Sequence, residues 1–249
     1  MARSAIILAA GFGSRLQADA SHKLLTRVGG KTLLTHHLAN FARLQVEEVV
    51  VVTGFDAETL VAAAREHPSA QGITLRFAFN PSFQGQNGLS VLTGVEALTR
   101  ADEPFWLTMS DHLFDPALFD DLRQRFDQER YPSWGGALVV DRKLDTIFDM
   151  PDATKVRSDP EHFGIGKQLE DFDLVDTGLF WCDKPFVAAL EAERLERGDC
   201  STSDAVRRLQ AERRYGFWDL GEFLWQDVDT AGALAHASDL LEHHFKGSL

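Results

Sequence analysis

The chain has 249 residues, of which 44% are hydrophobic and 25% are charged. This length and composition are typical of one soluble α/β domain or two small ones, with enough apolar residues to build a core. The formal net charge of −13 argues against a general grip on nucleic acid or on an anionic membrane surface, because each of these requires a positive field. A single phosphate chain remains a suitable ligand, since a few local cations and backbone N–H groups suffice to hold it.

The two cysteines, Cys182 and Cys200, form neither a metal-type cluster nor a disulfide framework, and we therefore expect a reducing, cytoplasmic location. No apolar run reaches the length of a membrane span. The apolar start of the chain runs directly into Gly11-Phe12-Gly13 without the small-residue pattern of a signal-peptide cleavage site. We therefore predict that residues 5–10 form the first strand.

Apolar runs and helical periodicities alternate through the first half of the chain. The predicted strands cover residues 5–10, 48–53, 73–79 and 105–109, and the predicted helices cover 33–44, 58–66 and 89–98. This alternation predicts an α/β protein with a mostly parallel sheet and helices on both faces.

The second half of the chain has a less regular pattern. Strands are predicted at 136–141 and 174–182, helices at 185–197, 203–212 and about 231–245, and an aromatic, extended segment at 217–229. The absence of repeats, low-complexity stretches and linkers predicts one compact unit. An insertion near residues 141–175 is expected to form a small lobe over the substrate.

Residues 8–16 read L-A-A-G-F-G-S-R-L, which predicts a strand that turns through glycines. Such a turn lets backbone N–H groups approach phosphate oxygens, and Arg15 can add a charged fork. A strand–helix turn that binds nothing is the alternative. A dinucleotide-binding fingerprint is disfavoured because Leu16 occupies its third glycine position, and the P-loop pattern G-x-x-x-x-G-K-[ST] is absent.

Acidic residues follow two predicted strands. Asp111 comes at the carboxyl end of the strand 105–109, where open α/β sheets bind their ligands. Asp227 and Asp229 point to the same face of an extended segment. Mg²⁺ prefers one or two carboxylates together with water and phosphate oxygens, so Asp111 is a candidate ligand. Capping of the following helix is the alternative for Asp111 and for Asp229.

Residues 8–16 resemble the signature L-A-A-G-x-G-x-R-[LM] of the nucleotidyltransferase superfamily of sugar-nucleotide pyrophosphorylases. That superfamily places a lysine soon afterwards in a P-K-P-L segment, and this chain has H-K-L-L at 22–25, which keeps the lysine and lacks both prolines. The resemblance implies a Rossmann-like three-layer αβα nucleotidyltransferase fold with a small substrate-binding lobe. It implies a single domain over 1–249, with a nucleotide-binding half at 1–115 and an acceptor-binding half with C-terminal helices at 116–249.

Further segments resemble the CTP:inositol-1-phosphate cytidylyltransferases. They are M-S-D-H at 109–112, A-T-K-V at 153–156, I-G-K-Q-L at 165–169, F-D-L-V-D-T-G at 172–178 and W-Q-D-V-D-T at 225–230. The resemblance implies a stand-alone, Mg²⁺-dependent enzyme that forms CDP-inositol and pyrophosphate from CTP and inositol 1-phosphate, without a nucleic-acid partner or a membrane span. A homodimer is left open. The alternatives are a related transferase that uses phosphocholine or a sugar 1-phosphate with CTP or UTP, and a catalytically silent nucleotide-binding regulatory domain.

The same resemblance, together with the chemistry of the side chains, assigns the candidate site residues. The nucleotide-binding residues are Leu8, Ala9, Ala10, Gly11, Gly13, Ser14, Arg15, Lys23, Asn87, Gly88 and Ser90; the acceptor-binding residues are Asp141, Lys155, Lys167 and Asp176; the catalytic cations are Arg15, Lys23 and Lys155; the Mg²⁺ ligands are Asp111 and Asp229, with Asp227 in reserve. The structural alternatives are a helix N-cap at 86–90, solvated surface lysines, and buried or turn aspartates.

Overall fold

The computed structural model of the chain describes residues 2–12, 22–65, 72–128 and 134–245. Its strands are β1 (Ser4–Ala9), β2 (Arg27–Val28), β3 (Lys31–Thr32), β4 (Glu48–Thr53), β5 (Thr74–Phe79), β6 (Phe105–Met109), β7 (His112–Phe114), β8 (Gly136–Asp141), β9 (Lys155–Arg157), β10 (Gly164–Gly166), β11 (Leu174–Cys182), β12 (Tyr215–Asp219) and β13 (Trp225–Asp227). Its α-helices are α1 (Leu33–Arg43), α2 (Ala57–Arg65), α3 (Asn87–Ala97), α4 (Pro116–Gln128), α5 (Lys184–Arg197), α6 (Thr202–Ala211) and α7 (Ala231–Asp239).

The central sheet forms because its inner strands are aliphatic and buried on both faces, as is typical of parallel strands covered by helices. All six residues of β1 and of β4 are buried. Strand β1 pairs in parallel with β4 on one side and with β6 on the other, and β4 pairs in parallel with β5. Strand β11 is antiparallel to β6 and β8, and β12 is parallel to β8.

Helices cover both faces of this sheet. One apolar core includes Leu34, Phe41 and Phe119 from α1 and α4, and the opposite core includes Val91, Leu190 and Val206 from α3, α5 and α6. The predicted three-layer, mainly parallel α/β architecture is therefore confirmed. Both predicted halves contribute strands to the main sheet. The assignment of the nucleotide to 1–115 and of the acceptor to 116–249 stays a prediction. No helix in the described part of the chain combines the length and the hydrophobicity needed to cross a bilayer.

The C-terminal half departs from the predicted elements in four places. Within the insertion expected near 141–175, strands β9 and β10 continue the main sheet from β11. Helix α4 was not predicted, although Asp115 caps it by accepting from the N–H of Ala117 at 3.0 Å. The segment expected to be extended over 217–229 is divided between β12 and β13, with Gly221 in the left-handed region at φ +66° between them. The predicted final helix ends its α-helical part at Asp239, and a π-helical turn follows over Leu240–His244.

Strand β11 bends at Gly178, beside the carboxyl end of β6. Gly178 has φ +73°, and its pairing register with β8 shifts between Asp176 and Phe180. A Cβ at this position would lie 2.8 Å from Nε2 of His112, so the bend requires glycine. The N–H of Gly178 donates to Asp176 at 2.7 Å, which holds this carboxylate at the bend.

Candidate functional site

A cleft of about 540 Å³ opens at the carboxyl ends of β1 and β6. This is the edge at which open α/β sheets bind ligands, because the loops that follow neighbouring parallel strands meet there. The predicted site residues that line the cleft are Leu8, Ala9, Ala10, Gly11, Lys23, Asn87, Ser90, Asp111, Lys167, Asp176 and Asp229. The predicted residues Gly13, Ser14 and Arg15 lie outside the described residues.

Lys23 and Asp111 form the central ion pair of the cleft. Lys23 begins a short 3-10 turn, and its Nζ donates to Oδ2 of Asp111 at 2.6 Å. Nδ1 of His112 lies 2.9 Å from Oδ1 of the same carboxylate, and the imidazole is the donor because an ionised carboxylate only accepts. Both Asp111 oxygens therefore already hold a donor.

The pKa values in this cleft follow from burial and from the clustered charges. Burial alone would lower the pKa of Lys23, but the charges of Asp111, Asp227 and Asp229 outweigh it and raise that pKa. Burial would raise the pKa of Asp111, yet His112 and Lys23 hold it far below its ordinary value. The pKa of His112 is raised, because the contact with Asp111 outweighs the effect of burial. The contacts among Lys23, Asp111 and His112 therefore favour the charged form of each group.

Further carboxylates come from β13 and the residues after it. Strand β13 pairs antiparallel with β7, which places Asp227 opposite His112. The ligand atoms of Asp111, His112 and Asp227 lie within 4.8 Å of one another, and so do those of Asp152, Asp227 and Asp229. Asp227 thus belongs to both groups, whereas the sequence interpretation placed it in reserve behind Asp229.

These groups fit a hard divalent cation. Burial is the main cause that raises the pKa of Asp227 to about 6, with the neighbouring charges of Asp111 and Asp229 also raising it. Oδ1 of Asp227 is buried and has no hydrogen-bond partner among the described residues. An unsatisfied buried carboxylate oxygen among other carboxylates is costly without a cation, and oxygen ligands are the type that Mg²⁺ prefers. Asp111, Asp227, Asp229 and Asp152 are accordingly the residues that would hold Mg²⁺.

The wall formed by the start of α3 is built by contacts with the start of α6. The side chain of Asn87 donates to Oγ1 of Thr202 at 3.1 Å and accepts from the backbone N–H of Thr202 at 2.9 Å. Gly88 does not line the cleft; a Cβ there would lie 2.5 Å from the carbonyl oxygen of Cys200, so this glycine permits close packing of the two segments. Ser90 lines the cleft and accepts from Asn80 at 2.9 Å.

The predicted acceptor residues divide into two groups. Lys167 and Asp176 line the cleft, where Lys167 pairs with Asp152 at 2.7 Å and burial raises the pKa of Asp176 to about 6. Asp141 lies outside the cleft lining, with its oxygens held by Lys143 at 2.8 Å and by Nε1 of Trp225 at 3.0 Å. This arrangement makes Asp141 a buried partner of the neighbouring chain segments.

Lys155 also lies outside the cleft lining and is buried, with 8% of the residue exposed. Its Nζ donates to the carbonyl oxygens of Lys167 at 2.7 Å, Ala153 at 3.3 Å and Pro151 at 3.4 Å. The structure thus ties this ammonium to the backbone at 151–153 and at Lys167, outside the cleft lining that contains Lys23. The role predicted for Lys155 in catalysis remains a prediction.

The lining residues that sequence reasoning did not assign to the site include Asp152, Thr154 and Trp225. Asp152 stands directly before the A-T-K-V segment at 153–156, and this proximity was the available signal. Thr154 lies within that segment. Trp225 stacks on His112 with ring centroids 5.4 Å apart and planes 9° apart. A stacked aromatic holds His112, and through it the Asp111 carboxylate, in a fixed orientation.

Comparison with known proteins agrees with a nucleotide-handling cleft. Residues 5–147 match the MobA-like NTP transferase domain, and the chain belongs to this family of nucleotidyltransferases. The chain is 32% identical over 95% of its length to the bifunctional IPC transferase and DIPP synthase of Rubrobacter xylanophilus, covering 51% of that protein. It is 31% identical over 95% of its length to the protein of the same name from Thermococcus kodakarensis, covering 50% of it. The chain thus spans about half the length of these curated relatives.

A solved structure shows the same fold. The inositol-1-phosphate CTP transferase from T. maritima superimposes with a TM-score of 0.78 at 22% sequence identity, and the match covers 98% of each chain. At 22% sequence identity, this similarity establishes the architecture alone.

Proposed function

We propose that the chain transfers the cytidylyl group of CTP to inositol 1-phosphate, forms CDP-inositol and releases pyrophosphate in a Mg²⁺-dependent reaction. The convergence of Lys23 with Asp111, Asp227 and Asp229 in one cleft carries this proposal. The names of the two half-matching relatives and of the superimposed structure support the choice of CTP and inositol 1-phosphate.

The proposed reaction is an in-line displacement. A phosphate oxygen of inositol 1-phosphate bonds to the α-phosphorus of CTP while the bond from that phosphorus to the bridging oxygen of the β-phosphate breaks. A phosphate monoester is largely ionised near neutral pH, so the nucleophile needs no general base. The obstacle is the repulsion between two anions, and catalysis then consists mainly of positioning and charge neutralisation.

The residues of the cleft divide these tasks. Lys23 supplies a positive charge beside the loop at 8–11, where the triphosphate is expected. Lys167, which pairs with Asp152, supplies a second charge in the same cleft, where the acceptor is expected. Mg²⁺ held by the aspartates would neutralise phosphate oxygens and orient the leaving pyrophosphate. Local cations of this kind allow a protein with a net charge of −13 to bind polyanions.

A pyrophosphate-release screen tests the proposal. The purified chain is incubated with each of the four common ribonucleoside triphosphates and with inositol 1-phosphate, phosphocholine or glucose 1-phosphate, in Mg²⁺ or in EDTA. We expect the highest rate with CTP and inositol 1-phosphate, and no release in EDTA. The Asp111→Asn variant serves as the inactive control, and Asp102→Asn, at an exposed carboxylate outside the cleft, serves as the active one.

The other outcomes of the screen are equally informative. A higher rate with phosphocholine or with the sugar phosphate would replace the acceptor and retain the chemistry. Pyrophosphate release that persists in EDTA would remove Mg²⁺ from the proposal. Nucleotide binding without release for any pair would favour a silent regulatory domain.

A further inference from the structure

We propose that Lys23 is the internal counter-ion of the cation site in the nucleotide-free protein. A divalent ion then binds to Asp111 only when the Lys23 ammonium has moved from Asp111 to a bound triphosphate. This inference rests on the metal-assisted reaction proposed above, and it adds an order to the binding events: metal and nucleotide enter together, and metal alone binds weakly.

The hydrogen bonds of Asp111 are the first observation. Oδ2 is held by Lys23 at 2.6 Å and Oδ1 by His112 at 2.9 Å, so both oxygens already accept a proton donor. The side chain of Lys23 is 21% exposed and that of Asp111 is 16% exposed. Because the pair is only partly exposed, a cation that binds Asp111 has to compete with this ion pair.

The position of the ammonium is the second observation. The Lys23 ammonium lies 2.6 Å from Asp111, and the ligand atoms of Asp111 and Asp227 lie within 4.8 Å of one another, so the ammonium stands beside the carboxylates that would hold the metal. A divalent cation and an ammonium repel each other at this separation, so both cannot occupy the set of carboxylates without a large cost. Lysine is suited to an exchange, because its charge sits on a flexible four-carbon chain and moves readily to a phosphate oxygen.

The partner that releases Lys23 is identified by its chemistry. The ammonium needs an anion that outweighs one carboxylate, and Gly11, the first glycine of the predicted phosphate-binding segment, lines the same cleft. A triphosphate bound beside Gly11 provides such an anion. Because coupling between two ligands is reciprocal, a nucleotide that removes Lys23 from Asp111 must tighten metal binding, and metal must tighten nucleotide binding by the same factor.

Mn²⁺ binding to the protein without nucleotide tests this inference. The dissociation constant is measured by titration calorimetry, with free Mn²⁺ quantified by electron paramagnetic resonance, for the wild type and three variants. Lys23→Met removes the ammonium and keeps the length of the side chain. Lys23→Arg keeps the charge. Lys143→Met removes an equal charge from a lysine that pairs with Asp141 at 2.8 Å outside the cleft lining.

We expect Lys23→Met to bind Mn²⁺ about ten- to a hundredfold more tightly than the wild type, since a charge-assisted hydrogen bond no longer has to be broken. Lys23→Arg and Lys143→Met should remain close to the wild type. Unchanged or weaker binding in Lys23→Met would overturn the inference. Equal tightening in Lys143→Met would also overturn it, because it would reduce the effect to overall charge.

Crystals of the wild-type protein supply a second measurement that does not depend on any variant. After soaking in MnCl2 without nucleotide, Lys23 should remain within hydrogen-bond distance of Asp111, with no anomalous peak on the Asp111 oxygens. A Mn²⁺ ion bound to Asp111 with the ion pair intact would contradict the inference. Neither measurement contains CTP or an acceptor, so a failed pyrophosphate-release screen and a failed counter-ion inference remain distinguishable.

Discussion

The cleft that contains Lys23 and the segment around β9 that contains Lys155 bind their lysine side chains in different ways. Lys23 donates to one carboxylate in a partly open cleft, whereas Lys155 is buried and donates to three backbone carbonyls. A phosphate can replace a carboxylate as the partner of an ammonium. The buried Lys155 ammonium is shared by three backbone carbonyls, so its withdrawal breaks contacts within the fold, and the cost falls on the stability of the fold. The hydrogen-bond partners of a lysine, rather than its position in a motif, therefore decide whether its charge is available to a ligand.

The largest effect on the cleft wall is expected from Asp111→Asn. Loss of this charge removes a predicted metal ligand and the partner of Lys23 in one step, and turnover should fall about a thousandfold or more. Steady-state pyrophosphate release measures the change, with Asp102→Asn as the matched carboxylate control. Turnover within a few-fold of the wild type would take Asp111 out of the catalytic set.

Lys23→Met should lower turnover by about a hundred- to a thousandfold, the magnitude typical of losing one charge-stabilising group from a transition state. The free energy of unfolding should change little, because the cleft admits water to the vacated position. Turnover and urea denaturation are measured side by side, with Lys184→Met as the control at an exposed lysine. A loss of stability in proportion to the loss of turnover would contradict the proposed difference between Lys23 and Lys155.

Lys155→Met should show the reverse behaviour. Three carbonyls lose their donor, so we expect the free energy of unfolding to fall by about 1–3 kcal/mol. The variant should retain a larger share of its turnover than Lys23→Met does. Chemical denaturation and pyrophosphate release measure the two effects. An unaltered denaturation midpoint with a large loss of turnover would instead support the catalytic role that the sequence predicted for Lys155.

The smallest effect on activity is expected from Asp227 and Asp229, which are predicted to bind Mg²⁺. Asp229→Asn should raise the Mg²⁺ concentration needed for half-maximal activity by about tenfold, which corresponds to about 1.4 kcal/mol. Asp227→Asn should shift the titration at least as much, since Asp227 belongs to both carboxylate groups. Asp171→Asn, at an exposed carboxylate between β10 and β11, is the control. A titration that moves only in Asp227→Asn would transfer the ligand role away from Asp229.

The regular part of the fold was accessible from the sequence because its signals are local. Buried aliphatic runs such as β4 and the helical periodicity of α1 depend on neighbours within a few residues. Asp111 was found for a related reason: the carboxyl end of a central parallel strand is a ligand-binding edge in any such sheet. Helix α4 was missed although Asp115 and Pro116 form an ordinary start signal, which was available in the sequence.

The remaining features depend on contacts between distant segments. The pairing of β13 with β7 places Asp227 opposite His112, and nothing in the sequence near either residue indicates that pairing. The surroundings of Lys155 are likewise assembled from the carbonyls of segments at 151–153 and 167. Such contacts form when the whole chain packs, so side-chain type and spacing cannot reveal them.

The sequence by itself determined the α/β class and the position of Asp111 after β6, because each of these is a local pattern. The tertiary structure decided which charges meet. Lys23 forms an ion pair with Asp111, and Asp227 belongs to two groups of potential metal ligands. Lys155 donates to the backbone carbonyl of Lys167. The physical reason is that an ammonium or a carboxylate takes its properties from the partners and the burial that folding supplies.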